Sequence, residues 1–303
     1  MDPLDVFLKL CHELGLEQVE EYVYRFSFPG AKKTLLLSAL IHGNETGSLH
    51  LLIRILQSLG EGGISPSINI LFSLGNLSAY HANKRFITHD LNRSFGAVKD
   101  NSFEIERAQV LKKILAQVDV MIDFHQTLEP VAKPFFLFPF NEKNILFANA
   151  LDPSVNKITY QRTILEGTTF SGAADAAGIS AITIETGLKG FDPAQINYGF
   201  LVFENALEFL NPERENIHSS EYYNLFTWAE TVSNPDQQYE LVSKFENFEP
   251  ILKDSPLAHS QDGKVLKSPI DGFIIFPKYG ENRNQSKELV SILKSVKSEN
   301  DLA

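Results

Sequence analysis

Leu35-Leu36-Leu37-Ser38-Ala39-Leu40-Ile41-His42-Gly43-Asn44-Glu45-Thr46-Gly47 is the stretch that decides how this chain of 303 residues folds. A short apolar run ends in a polar turn, and a helical pattern begins directly after it. A buried parallel strand that feeds a helix through a tight loop reads this way. In open α/β sheets, ligands bind outside the carboxyl ends of strands, often beside a switch in strand order. His42 and Glu45 sit at such an end. One imidazole and one carboxylate three residues apart can share a metal ion when a third ligand arrives from elsewhere. The spacing alone decides little. A His followed three residues later by an acid is expected about once at this composition. It occurs at His42/Glu45, His218/Glu221 and His259/Asp262, and only the first follows a strand-like run and opens a helix. The ordinary reading of that pair is an exposed turn with a helix-capping acid.

Working outward, residues 4–14 have helical spacing and 20–28 alternate as a strand closed by Pro29-Gly30. Strand 34–41 and a helix over about 45–59 follow, and residues 68–74 complete a βαβ unit. A polar loop runs from Gly75 to about Gly96. Glu104 to Leu115 is helical by period, and Val118 to Phe124 is an apolar strand that ends at His125. Pro134 to Phe140 reads as a strand, about 141–150 as a helix, and Phe170 to Ala177 as a small-residue helix. Ile179 to Ile184 is a strand ending at Glu185, and Ala194 to Leu210 is a long helix. Strands alternating with helices predict a mostly parallel mixed sheet flanked by helices. Asn211-Pro212-Glu213-Arg214-Glu215 reads as a linker. Beyond it, turn residues break short apolar runs, which predicts a smaller C-terminal β-rich domain. The expected division is a catalytic domain over 1–213 and a small domain over 214–303. Asp262-Gly263 and Asp271-Gly272 are hairpin signals, and the tail from about Gln285 reads as helical or frayed.

Composition narrows the function. The hydrophobic content of 43% and charged content of 21% are those of a soluble globular protein. The net charge of −11 argues against a nucleic-acid partner. No apolar run is long enough to span a membrane, and the acidic start Met1-Asp2-Pro3-Leu4-Asp5 lacks the pattern of a signal peptide. Cys11 is the single cysteine, so no intrachain disulfide forms, and a reducing, cytoplasmic setting is expected. An oligomer remains compatible with all of this.

Three strands thus end in candidate ligands: His42, His125 and Glu185. Two His and one Glu, as a close pair and a distant third, make a catalytic zinc set with a position left for water. A water in that position has its pKa lowered toward ~7. His125 has the alternative of a core histidine, and Glu185 that of a salt-bridge partner.

Four stretches, His42-Gly43-Asn44-Glu45, Arg85-Phe86-Ile87-Thr88-His89-Asp90-Leu91-Asn92-Arg93, Asp123-Phe124-His125-Gln126-Thr127 and Ile182-Thr183-Ile184-Glu185-Thr186-Gly187, occur in the order seen in one family. In them the chain resembles the succinylglutamate desuccinylase/aspartoacylase family, which is related to the zinc carboxypeptidases. The resemblance implies one Zn2+ held by His42, Glu45 and His125. It implies Arg85, Asn92 and Arg93 as binders of substrate carboxylate and carbonyl groups, and Glu185 as the catalytic carboxylate. The implied reaction removes an acyl group from a small acidic N-acyl amino acid, N-succinylglutamate-like or N-acetylaspartate-like. A carboxypeptidase acting on short peptides would use the same zinc site, and a non-catalytic zinc-binding protein is the third reading. Family members that cleave N-acyl amino acids often carry a further Arg shortly before the catalytic Glu. Residues 170–184 contain none here, and the nearest cations are Arg162 and Lys189. Asp123, two residues before His125, remains open as a second support or a packing residue.

Overall fold

The computed structural model describes residues 1–64, 66–96, 101–160, 168–211, 213, 221–234, 238–280 and 287–302. Helix α1 (Pro3–Glu13) starts at Asp2, whose Oδ1 accepts from the Leu4 amide at 2.9 Å. Proline suits the first helical position, since its missing amide proton would have no partner there. Strands β1 (Glu17–Glu20) and β2 (Val23–Phe26) form an antiparallel hairpin. The alternation over 20–28 therefore divides into two strands, because Tyr22 takes φ +52° and turns the chain back.

Strand β3 (Thr34–Ala39), helix α2 (Gly47–Gly60) and strand β4 (Asn69–Leu74) make the expected parallel βαβ unit. The expected loop over 75–96 holds a short helix, α3 (Leu77–His81), and a 3-10 turn at Leu91–Arg93. Helix α4 (Phe103–Ile114), β5 (Val120–Thr127), β6 (Phe135–Pro139) and α5 (Glu142–Leu151) come next. Strand β7 (Asn156–Tyr160) has no counterpart in the sequence reading. Helix α6 (Phe170–Ala176), β8 (Ser180–Leu188) and α7 (Pro193–Leu210) follow. Of the linker stretch, Pro212, Arg214 and Glu215 lie outside the described residues, as does His218.

The remaining strands are β9 (Leu225–Ser233), β10 (Tyr239–Leu241), β11 (Pro250–Ile251), β12 (Pro256–Ser260), β13 (Val265–Lys267), β14 (Gly272–Ile275) and β15 (Glu288–Ser295). Asp262-Gly263 does form the β12–β13 hairpin. Asp271-Gly272 does not form one, because β14 pairs with β11 and β15 rather than with β13. The tail read as helical or frayed is mainly strand β15, since Leu289, Val290, Ile292 and Leu293 bury their side chains in a sheet core. Only Glu299–Leu302 beyond it is a 3-10 turn, and Gln285 lies outside the described residues.

One 12-stranded sheet runs β1-β2-β4-β3-β5-β8-β6-β7-β9-β15-β14-β11, and β10-β12-β13 form a second sheet. In the first sheet β4-β3-β5-β8 and β6-β7-β9 are two parallel blocks joined by the antiparallel β8–β6 pair, and both ends of the sheet are antiparallel. Its central strands are buried on both faces, which is why they read as continuous apolar runs. Leu35, Leu37, Ile122 and Ile184 pack toward α1, α2, α5 and α7, while Leu36, Met121 and Ala181 pack toward α4 and α6. Helices on both faces leave the carboxyl ends of β3, β5 and β8 as the open edge of the layered core. The fold is mixed α/β, with a large mostly parallel sheet flanked by helices and a C-terminal antiparallel β-rich region.

Lys157 of β7 joins these two parts. It is almost fully buried, and its Nζ donates to the carbonyls of Pro153 (3.1 Å), Val155 (3.0 Å) and Tyr223 (3.4 Å). Burial pulls its pKa down from 10.5 to about 8, with Asp152 opposing. Lys157→Met should destabilise the protein by about 1–3 kcal/mol at pH 7, since it leaves buried carbonyls unpaired. Between about pH 8 and 10.5 the unfolded lysine holds a proton that the folded one has released. The stability of the wild type relative to the variant should therefore rise with pH across that window and stay flat below it. Urea unfolding of both proteins at several pH values measures this, and a difference that falls with pH would contradict it.

Candidate active site

The chain leaves β3 through Leu40, which takes φ +58°, a backbone state that strains a side-chain-bearing residue. Two hydrogen bonds hold it: its amide donates to Ser48 Oγ at 3.3 Å, and its carbonyl accepts from the Asn76 amide at 2.7 Å. His42 and Glu45 lie in the turn that follows, and α2 opens at Gly47. A Cβ on Gly47 would stand 2.3 Å from Gln126 Nε2, so only glycine permits this approach of α2 to β5. His125 projects near the end of β5, and β5 and β8 pair so that His125 stands opposite Glu185.

The structure brings His42, Glu45 and His125 together, all buried, with ligand atoms within 4.8 Å of one another. Glu45 Oε1 lies 2.7 Å from His42 Nδ1, and Glu45 Oε2 lies 3.0 Å from His125 Nδ1. The two Nδ1 atoms are 3.1 Å apart. Each ring turns its other nitrogen to a carboxylate: His42 Nε2 to Asp90 Oδ1 at 3.0 Å, and His125 Nε2 to Asp123 Oδ2 at 2.8 Å. Carboxylates flank both nitrogens of each ring, so with a cation held at the Nδ1 atoms the ring protons belong on Nε2, where Asp90 and Asp123 accept them. Both Nδ1 lone pairs then face each other and the Glu45 carboxylate. Such a donor set is repulsive by itself and attractive around a cation. Two imidazoles and a carboxylate, with each ring backed by a second carboxylate, fit a zinc ion.

The charges agree with this. Burial would raise the Glu45 carboxyl, but His42 and His125 outweigh it and hold it well below the usual range. Burial opposes a charged ring at His125, yet Asp123 and Glu45 raise its pKa well above the ordinary value. The same surroundings that favour a proton here favour a divalent ion.

Glu185 is half-buried as a residue, but its Oε2 is buried and has no hydrogen-bond partner among the described residues. Burial pushes its carboxyl up to about 7, with His125 opposing and Glu45 adding. A carboxylate with this affinity can take up a proton and release it near neutral pH.

The three remaining residues lie in the arm that runs from α3 through the 3-10 turn, Arg85 before the turn and Asn92 and Arg93 within it. Arg85 is half-buried, with Nη1 donating to Glu45 Oε1 at 3.0 Å and Nη2 to Asp90 Oδ2 at 3.5 Å. Asn92 faces α6, where its Oδ1 accepts from the Phe170 amide at 2.9 Å. Arg93 is exposed, and its Nη1 donates to the Asn92 carbonyl at 2.9 Å. Arg162 lies outside the described residues, and Lys189 is exposed beyond the end of β8. His259, of the third His-acid pair, is exposed on the β12–β13 hairpin, away from this cluster.

Sequence reasoning missed the role of Asp90 and left Asp123 open. Asp123 had a usable signal: it precedes His125 by two, so the two side chains share a sheet face. Asp90 had none except its place beside Asn92 and Arg93. Gln126 was also missed. Its amide donates to Glu45 Oε2 at 3.0 Å, and its Oε1 accepts from the amides of Gly47 (2.8 Å) and Gly190 (3.0 Å). It thus fixes the start of α2 against the exit of β8.

The profile of the succinylglutamate desuccinylase/aspartoacylase catalytic domain matches residues 31–210. The chain belongs to this family. A succinylglutamate desuccinylase from Serratia proteamaculans is 31% identical over 275 residues, covering 83% of this chain and 82% of that protein. One from Pseudomonas fluorescens is 28% identical over 287 residues, covering 82% and 84%. Among solved structures, a succinylglutamate desuccinylase from Vibrio parahaemolyticus superposes with a TM-score of 0.71 at 18% identity, covering 93% of this chain and 88% of that one. Murine aminoacylase 3 superposes with a TM-score of 0.70 at 18% identity, covering 89% and 97%. The structural matches establish a shared fold. Family membership makes the chain one of a group of deacylases that act on amide bonds.

The cluster's geometry generates a test. Asp123→Ala and Asp90→Ala each keep all three candidate ligands and remove the acceptor behind one ring. Each should weaken zinc binding by about 10- to 100-fold, whereas His42→Ala or His125→Ala should abolish stoichiometric binding. Competition with a chelating dye measures both, and unchanged affinity in both aspartate variants would contradict the assignment.

Proposed function

We propose that the protein is a zinc-dependent amidohydrolase that removes the acyl group from a small N-acyl amino acid, N-succinylglutamate-like or N-acetylaspartate-like. One observation carries this reading: Glu185, a carboxylate with a buried unpartnered oxygen, stands opposite His125 and beside the candidate ligand set. A purely structural metal centre is usually closed by four protein ligands and has no use for such a group. Zinc held by His42, Glu45 and His125 would act as a Lewis acid toward the scissile carbonyl and lower the pKa of the attacking water toward ~7.

The chain's own residues supply the rest. Glu185 takes a proton from the attacking water and hands it to the leaving amine as the C–N bond breaks. The hydroxyl joins the acyl carbon, so the products are a carboxylate and a free amino acid. Arg85, anchored on Glu45 and Asp90, presents positive charge where the carbonyl oxygen gains negative charge. Arg93, exposed on the same arm, offers a planar fork that matches the carboxylate of the amino acid, and Asn92 orients the turn between them. In a protein of net charge −11, a small acidic substrate needs such local cations. The names of the curated relatives and the family as a whole support this substrate class. The lone cysteine, Cys11, is free and buried, in keeping with a reducing cytoplasmic setting.

Two variants test the roles. Glu185→Gln keeps shape and hydrogen-bonding reach but cannot take the proton. Its zinc content and folding should match the wild type while kcat falls at least ~10²-fold, and KM should move less because the loss is in the transition state. Loss of zinc in this variant would make Glu185 a ligand instead. Arg93→Ala should lower kcat/KM about ten- to a hundredfold with zinc retained. Arg93→Lys should restore only part of it, because an ammonium lacks the fork. Unchanged kcat/KM in Arg93→Ala would remove the clamp from the account.

A further inference from the structure

Helix α4 carries a carboxylate that the proposed chemistry does not use. Glu104 lies in the first turn of α4 and is fully buried. Its Oε1 accepts from the Ile87 amide at 2.8 Å, the Thr88 amide at 3.2 Å and Asn76 Nδ2 at 3.1 Å. Its Oε2 is buried with no hydrogen-bond partner among the described residues. A carboxylate is costly to bury, and a half-satisfied one more so. A plain helix-capping acid would sit in solvent and turn to the amides of its own helix. Glu104 turns instead to the backbone of another segment.

Both directions lead to the active site. Ile87 and Thr88 lie between Arg85 and Asp90, the residues that contact Glu45 and His42. Phe86 is 39% and Ile87 47% exposed, so apolar packing does not hold this part of the arm. On the arm's other side, the Arg85 carbonyl accepts from the Gly43 amide at 3.1 Å, next to His42. Asn76, the third partner, caps α3 through the Ala79 amide at 3.0 Å and donates its own amide to the carbonyl of strained Leu40. One carboxylate oxygen therefore ties the arm bearing Arg85 and Asp90 to the turn that delivers His42.

We propose that Glu104 is a positioning residue that fixes the Arg85–Asp90 arm over the His42–Glu45–His125 cluster and acts on the reaction through Arg85. The kinetic part of this proposal rests on the amidohydrolase reading, and its structural part does not. The test therefore has two readouts on the zinc-loaded full chain, hydrogen exchange across residues 85–90 and kcat/KM for N-acyl amino acids. In Glu104→Ala, exchange of the arm should rise about tenfold or more while the β5 strand stays protected. Its kcat/KM should fall about tenfold, and in an Arg85→Ala background the same substitution should cost less than about twofold, since coupled residues are not additive. Glu104→Gln keeps the accepting oxygen and should stay within about threefold of the wild type. If Glu104→Ala fails to fold, Glu104→Asp replaces it, with a carboxylate one methylene short of the amides. Unchanged arm exchange overturns the proposal. So does an equal loss of kcat/KM in both backgrounds, or a Glu104→Gln loss as large as that of Glu104→Ala. If the wild type hydrolyses no N-acyl amino acid, the functional reading falls while the exchange result still decides whether Glu104 holds the arm.

Discussion

Two imidazole Nδ1 atoms and a carboxylate, gathered within 4.8 Å in a buried space, are at ease only with a proton or a cation among them, and much of the surrounding structure serves to keep them there. Asp90 and Asp123 fix the rings by accepting from their outer nitrogens. Gln126 and Arg85 each donate to one oxygen of Glu45, which turns its carboxylate toward both rings. Such preorganisation is what gives a metal site its affinity and its chemical reach, because little has to move when the ion arrives.

The sheet supplies the frame for this arrangement. Parallel pairing of β3, β5 and β8 brings three strand ends to one edge, and the β5–β8 register sets Glu185 opposite His125. The apolar residues between those ends form two helix-covered cores, so the polar residues at the edge rest on a rigid base. At the exit from β3 the strained backbone of Leu40 is held by Ser48 and Asn76. The arm that carries Arg85, Asn92 and Arg93 has no such apolar support at its tip, and its position depends on the hydrogen bonds its backbone amides donate to Glu104 and Asp90.

The central architecture was legible because buried parallel strands leave a strong mark: Leu35 to Ala39, Met121 to Phe124 and Ala181 to Ile184 are apolar runs that end in chemistry-bearing residues. His42, Glu45, His125 and Glu185 could be marked from those ends alone. Asp90 and Glu104 could not, since each acts by a contact across 48 or 17 positions that no local period records. Strand β7 and the buried Lys157 were missed for a similar reason: Lys157 is satisfied by three carbonyls, one of them 66 positions away, which tertiary structure alone provides. The tail was misread because the burial of Leu289 to Leu293 depends on the neighbouring strands β9 and β14, not on its own pattern.

The central claim is that His42 and His125 bind zinc through Nδ1, with Nε2 protonated toward Asp90 and Asp123. Long-range proton–nitrogen spectra of the histidine rings, recorded on nitrogen-labelled protein with and without one equivalent of zinc, read this directly. The account predicts that on zinc addition two rings show a metal-coordinated Nδ1 and a protonated Nε2, and that both are lost from the spectrum of the His42→Ala, His125→Ala double variant. Coordination through Nε2, or no zinc-dependent change in any ring, would contradict it.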